Sequence, residues 1–232
     1  MDLSRIQLIQ ESTLGDLKNP AYLEELMVRL GFNSEILREQ PQIVKDNGGG
    51  LLIWQYPNQF SKYLVLLSEQ NIHSYIEIGC RWGGTFVLTH EYLKRFNRMD
   101  KSVAVDIIDS PVLEYCLTTE ETSFLKMNSH SPDFMHYMNT QSFDLVFIDG
   151  DHSYHGVKID YEISKNSGNI FVFHDIQNDV CPGVVQFWKE LKEREAEVYD
   201  FYEFVEQYPD VWKETQQTFL GIGVAIRKQE IK

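Results

Sequence analysis

FDLVFIDGDHSYHGVKIDYE, residues 143–162, is the stretch whose reading decides the fold. Its first seven residues form a nearly continuous apolar run ending in Asp149, as expected for a strand covered on both faces. Turn residues break the run at Gly150-Asp151-His152-Ser153, and a helical stretch follows. Four further runs have the same character: YIEIGC (75–80), SVAVDI (102–107), SFLKM (123–127) and NIFVFHD (169–175). Helical stretches separate most of them, which predicts a parallel, doubly wound α/β sheet. A last helix is expected over 183–195, with Val184, Phe187, Trp188 and Leu191 on one face. The runs 198–205 and 218–226 then follow, joined by too few residues for a helical crossover, and should pair antiparallel at one edge.

The chain upstream has another rhythm. Asn19 and Pro20 read as an N-cap and first helical residue, Leu23, Leu26, Met27 and Leu30 recur at helical spacing, and Gly31 stands where a helix would stop. PQIVKDNGGG (41–50) ends in three glycines and reads as a mobile loop or hinge. Phe60, Tyr63, Leu64 and Leu67 then mark one face of a short helix. The expected organisation is an N-terminal helical cap or lid over 1–57, which either covers a cleft or mediates homodimerisation, and one α/β domain over 58–232. With 232 residues, such a chain should fold to a surface of ~10,900 Å².

Composition narrows the function. The 21 Lys+Arg against 35 Asp+Glu give a net charge of −14, which argues against nucleic acid and anionic membranes as partners. Cys80, Cys116 and Cys181 are three, too few and too scattered for a disulfide framework, and free thiols suit a reducing compartment. No signal peptide or membrane span is evident, so a soluble cytoplasmic protein is expected.

In open α/β sheets the ligand lies beyond the carboxyl ends of the strands, where strand order reverses. The first such end carries Glu77-x-Gly79-x-x-x-Gly83. A dinucleotide fingerprint would need Gly-x-Gly-x-x-Gly. Here the glycines are four apart, Arg81 and Trp82 lie between them, and an acid precedes them, which repels phosphate and suits an ammonium or sulfonium ligand. The plainer alternative is a strand-to-helix turn. Asp106 ends the next run and could accept both hydrogen bonds of a ribose diol, or simply serve a turn. Asn128 and Ser129 could meet a base or close a turn. Asp149, His152, His174 and Asp175 cluster at the last two ends.

With these residues in place, the chain resembles the class I S-adenosylmethionine (SAM) dependent methyltransferases, in particular the branch with an Ile-Asp-Gly-Asp-His-Ser-Tyr strand end, which includes small-molecule O-methyltransferases and cephalosporin-hydroxylase-like proteins. The likeness runs over residues 75–226 and rests on the Glu77 to Thr85 loop, Asp106, the 143–162 stretch and IFVFHDI (170–176). It implies a Rossmann-like sheet of seven strands, mostly parallel, whose last strand inserts antiparallel. It also implies that Glu77 neighbours the methionine end of SAM, that Gly79, Arg81 and Gly83 line the cofactor with Asp149 close by, that Asp106 holds the ribose and that Ser129 lies beside the adenine. Asp106 falls 27 residues after Gly79, farther than the ~20 usual for a ribose acid, and the intervening helix can absorb the difference.

Methyl transfer to a hydroxyl requires alignment and a way to remove a proton. His152 is the candidate base, as an imidazole titrating near pH ~6.5 three residues after Asp149. Asp149 and Asp175 would orient substrate. Alternatively Asp149, His174 and Asp175 would hold a divalent metal, Mg²⁺ or, given the histidine, a softer ion. His174 read blandly is a satisfied strand residue, His152 a capping one and Asp175 a turn acid. Trp54 to Pro57 could form a lid or merely pack, and Cys80 reads as a small filler. The rival to a methyltransferase is a non-methylating protein on the same fold, either a SAM-binding module or a hydroxylase-associated or nicotinamide-dependent enzyme.

Overall fold

The computed structural model describes residues 1–35 and 38–228. Near the N-terminus, α1 (Ile6–Glu11) and α2 (Leu14–Leu17) precede α3 (Pro20–Leu30). Helix α3 starts and stops for local reasons: the Asn19 side chain accepts from the Ala21 amide at 3.0 Å, and Gly31 ends it at φ +93°. Its buried face is Leu23, Leu26, Met27 and Leu30, at the spacing the sequence shows.

The segment 41–50 is more structured than its glycines suggest. It contains one helical turn, α4 (Gln42–Lys45), and its glycines are tied to the end of α3. The Gly49 amide donates to the Phe32 carbonyl at 2.7 Å and the Leu51 amide to the Leu30 carbonyl at 2.9 Å. Close approach of two backbones explains the glycines: a Cβ on Gly50 would lie 2.0 Å from the Leu30 carbonyl oxygen.

Helix α5 (Pro57–Ser68) leads into the sheet, whose strands are β1 (Ser74–Ile78), β2 (Lys101–Asp106), β3 (Thr122–Lys126), β4 (Phe143–Ile148), β5 (Gly168–His174), β6 (Tyr199–Phe204) and β7 (Ile222–Arg227). The order is β3-β2-β1-β4-β5-β7-β6. Parallel pairing joins β1 to β2 and β4, β2 to β3, and β4 to β5, while β7 inserts antiparallel between β5 and β6. The sheet is thus the expected Rossmann-like arrangement of seven strands, mostly parallel, with the last strand antiparallel. A short helix, α11 (Pro209–Thr215), lies between β6 and β7. Strands that run antiparallel need no crossover, so it fits within the connection.

Helices α6 (Gly84–Leu93) and α7 (Val112–Thr118) follow β1 and β2, and α8 (Pro132–Asn139), α9 (Tyr154–Ser164) and α10 (Pro182–Arg194) follow β3, β4 and β5. One apolar layer unites Leu145, Val172 and Val224 of the sheet with Leu26, Met27 and Phe60 of the N-terminal helices. The other packs Ile76, Val146 and Phe173 against Val157, Phe187 and Trp188. Every residue of α6 is buried, because the N-terminal helices cover its outer side. Tyr92 donates to the Leu17 carbonyl at 2.8 Å and Arg95 to that of Ile9 at 2.6 Å. The first 57 residues therefore share the domain's core, and the surface of 10797 Å² matches the value expected of one compact body. Among the described residues no helix is long and apolar enough to cross a membrane.

Candidate active site

Strand order reverses between β1 and β4, and the carboxyl ends of β1, β2, β4 and β5 open there into a cleft of about 710 Å³. Glu77, Gly79, Arg81, Gly83, Asp106, Ser129, Asp149, His152, His174 and Asp175 all line it. Parallel register brings them together: Ile78 pairs with both Val105 and Ile148, so Gly79, Asp106 and Asp149 emerge side by side.

The first loop is held by its own chain. Gly79 sits at φ +88°, and a Cβ there would lie 2.1 Å from the Asp149 carbonyl oxygen. Gly83, at φ +78°, faces Val112, where a Cβ would approach to 2.4 Å. Both glycines are required by internal packing before any ligand enters. We expect Gly79→Ala to destabilise the fold by about 2–4 kcal/mol, combining left-handed strain with overpacking. That corresponds to a thermal midpoint lowered by roughly 5–15 °C; an unchanged midpoint in a melting experiment would refute the packing account.

Asp106 secures the same loop. One carboxylate oxygen accepts from the Arg81 amide at 2.7 Å and the other from the Ile108 amide at 3.1 Å. Arg81 is thereby held at φ +42°. Each oxygen keeps a further lone pair for a diol. The Arg81 side chain turns toward the N-terminal segment, lying over the rings of Trp54 (5.3 Å) and Trp82 (5.6 Å) and 3.7 Å from the Glu35 carboxylate. Trp54 itself lines the cleft, so the N-terminal segment contributes a wall.

Glu77 is buried and accepts from the Tyr75 hydroxyl. Burial pushes its carboxyl well above the usual carboxylate range, and Asp149 and Asp106 push in the same direction. A cation entering the cleft would relieve that cost. Ser129 is buried beside Asp160 of α9, a carboxyl that burial raises to about 6. Asn128 closes its turn by accepting from the His130 amide at 2.9 Å. Cys80 is a buried core thiol, as its size suggests.

Two acids and two imidazoles interlock at the ends of β4 and β5. Asp149 Oδ1 lies 3.1 Å from His152 Nε2 and 3.1 Å from His174 Nδ1. His152 Nδ1 is 3.1 Å from Asp175 Oδ2, and His174 Nδ1 is 3.4 Å from Asp175 Oδ1. Asp175 occupies the left-handed region at φ +63°, a strained conformation that its neighbours hold in place. Hydrogen bonds to Asp149 and Cys181, with the charges of both acids, raise His152 to about 12. Burial opposes a charge on His174, but the two carboxylates outweigh it and raise that imidazole to about 10. Burial likewise opposes ionisation of Asp149 and Asp175, yet the imidazoles hold both below the usual carboxylate range. This arrangement therefore favours the protonated form of His152, unlike the freely titrating imidazole that its position in the sequence suggests. His174 is more than a satisfied strand residue, since its buried Nε2 has no hydrogen-bond partner.

The donor atoms of Asp149, His174 and Asp175 lie within 4.8 Å of one another, as an ion site would require. Magnesium fits them poorly. It demands an octahedron of oxygens, whereas one donor here is nitrogen and Asp175 Oδ1 already accepts from Asn178 at 2.7 Å. Two residues of the cluster escape a sequence reading. Asn178 orients Asp175, and Cys181 places its thiol 3.3 Å from both His152 Nδ1 and Asp175 Oδ2. The one available signal was Cys181-Pro182 at the start of a predicted helix behind a strand end. Asp151, by contrast, serves the turn, accepting from the Ser153 amide at 2.9 Å.

Residues 76–176 match the model of a family described as a methyltransferase domain. No curated protein sequence matches the chain. Among solved structures, the chain is similar to the O-methyltransferase TomG from Streptomyces achromogenes, involved in tomaymycin synthesis and determined with SAM: 15% identity, 76% of this chain and 82% of that one covered, TM-score 0.55. It is similar to the O-methyltransferase from Bacillus cereus determined with SAH, at 12% identity with 94% and 93% covered and a TM-score of 0.53. Cofactor-bound Rv0187 from MTB aligns at 13% identity over 95% of both chains, with a TM-score of 0.55. These likenesses are of fold. Together with the cleft at the switch point, they show a Rossmann-like methyltransferase fold, within which residues 76–176 match the methyltransferase-domain model.

Proposed function

We propose that this chain methylates an oxygen of a small hydroxylated molecule, a sugar or natural product, with SAM as donor. The observation that carries this reading is the convergence of Glu77, Asp106, Ser129 and the Asp149 cluster on one cleft of about 710 Å³. That volume is in the range of cofactor and small-molecule sites. Bound there, SAM supplies a methyl group on a sulfonium centre. Glu77 would face the methionine end, Asp106 the ribose and Ser129 the adenine, with Gly79, Arg81 and Gly83 along the loop. The O-methyltransferases among the structural neighbours support oxygen as the acceptor atom.

Asp149 and Asp175 would orient the acceptor, and His152 would take its proton. For that, His152 must be neutral. A second positive charge in the cleft opposes the imidazolium and moves it in that direction. The orphaned His174 Nε2 offers a further partner for an acceptor hydroxyl. A second reading, assistance by a divalent ion at Asp149, His174 and Asp175, is favoured by the close approach of those donors. The nitrogen donor suits manganese or zinc better than magnesium. The net charge of −14 argues against nucleic acid as substrate, and three free thiols suit the cytoplasm.

Calorimetric titration separates this reading from a nicotinamide-dependent rival. We expect SAM to bind and NAD(H) to give no heat, because the loop lacks the dinucleotide glycine spacing. No heat with SAM, or tighter binding of NAD(H), would overturn the proposal.

A further inference from the structure

We infer that His152, Asp175 and Cys181 form a three-ligand site for a zinc-like ion, distinct from the oxygen-rich arrangement that magnesium requires. The donor atoms His152 Nδ1, Asp175 Oδ2 and Cys181 Sγ form a nearly equilateral triangle with edges of 3.1, 3.3 and 3.3 Å. Zinc bonded to nitrogen, oxygen and sulfur at about 2.0–2.3 Å in tetrahedral geometry has faces with edges of ~3.3–3.6 Å. Expansion of each edge by about 0.2 Å separates the triangle from such a face, within the motion of these side chains.

The surrounding groups are those a metal site needs. His152 turns its other nitrogen, Nε2, to Asp149 Oδ1 at 3.1 Å, the carboxylate–histidine pairing that fixes a metal-binding imidazole. Asp175 has its other oxygen held by the Asn178 amide at 2.7 Å, leaving Oδ2 for the triangle. Gly183 lets the start of α10 press against the 152–154 turn, since a Cβ there would lie 2.3 Å from the Tyr154 amide nitrogen. That contact brings Cys181 to His152. All three ligands line the cleft, and a three-ligand set leaves a fourth position for water or an acceptor oxygen. The mix of imidazole, carboxylate and thiolate selects zinc or cobalt over magnesium and calcium.

This inference deepens the proposed function, because an ion there would acidify the acceptor hydroxyl in place of a free His152 base. Its test needs neither SAM nor an acceptor, so the two can fail separately. Chelator-treated full-length protein is titrated with Zn²⁺ by calorimetry and with Co²⁺ by absorption. We expect one Zn²⁺ per chain and a near-ultraviolet thiolate-to-cobalt charge-transfer band. Cys181→Ser should abolish the band and weaken zinc binding by more than the ~10–100-fold typical of losing an orienting partner. Asp149→Asn should weaken it within that range, and Cys116→Ser should change neither readout. Cobalt bound without the band, zinc affinity unaffected by Cys181→Ser, or binding of Mg²⁺ with no binding of Zn²⁺ would each overturn the inference.

Discussion

A His152→Ala variant is expected to bind SAM with wild-type affinity and to turn over about 10²–10⁴-fold more slowly, the range for loss of a positioned acid–base group. Separation of the two effects follows from geometry. His152 lies at the end of β4 against Asp149, Asp175 and Cys181. The residues assigned to the cofactor, Glu77, Gly79 and Asp106, belong to the ends of β1 and β2. Removing the imidazole also leaves the half-buried Asp149 and the buried Asp175 short of a counter-charge. Asp149 keeps His174 at 3.1 Å and Asp175 keeps Asn178 at 2.7 Å, so the variant should fold. Single-turnover rates measured with saturating SAM, beside a calorimetric titration, provide the check. Unchanged turnover would remove His152 from the chemistry, and lost SAM affinity would make it a cofactor residue.

Asp106→Ala should do the reverse, weakening SAM by about 10²–10⁴-fold through the loss of two charge-assisted hydrogen bonds to a diol at ~1.5–3 kcal/mol each. Loop disorder adds to this, because the Arg81 and Ile108 amides lose their acceptor. Asp106→Asn separates the contributions. It preserves a carbonyl oxygen for one amide, so the loop should survive in part while the ribose contact is halved. Calorimetry across the three proteins should rank wild type above Asn above Ala. Affinity within about threefold of wild type in the Ala variant would refute the ribose assignment, since one lost charge-assisted bond alone exceeds that.

Much of this site could be read from residue order. Apolar runs ending in Glu77-Ile-Gly79, Asp106, Asp149 and His174-Asp175 are strand ends of a doubly wound sheet, and that architecture brings such ends together. The N-terminal segment was harder. Its glycines read as a hinge, whereas they let α3 and the 47–53 backbone cross at contact distance. Its role as a wall of the cleft depends on Trp54 meeting Arg81, residues with no pattern in common.

The sequence by itself determined the sheet, the helical cap and the set of polar residues at the cleft, because periodicity and turn chemistry are local properties. Only the tertiary structure decided the state and partners of those residues. Protonation of His152 is favoured because two carboxylates from different strand ends flank it, and Glu77 becomes a reluctant acid because the core closes around it. Cys181 joins the cluster because Gly183 admits the start of α10 against the 152–154 turn. Proton affinity and donor geometry depend on distances of about 3 Å between residues far apart in the chain, and those distances exist only once the chain has packed.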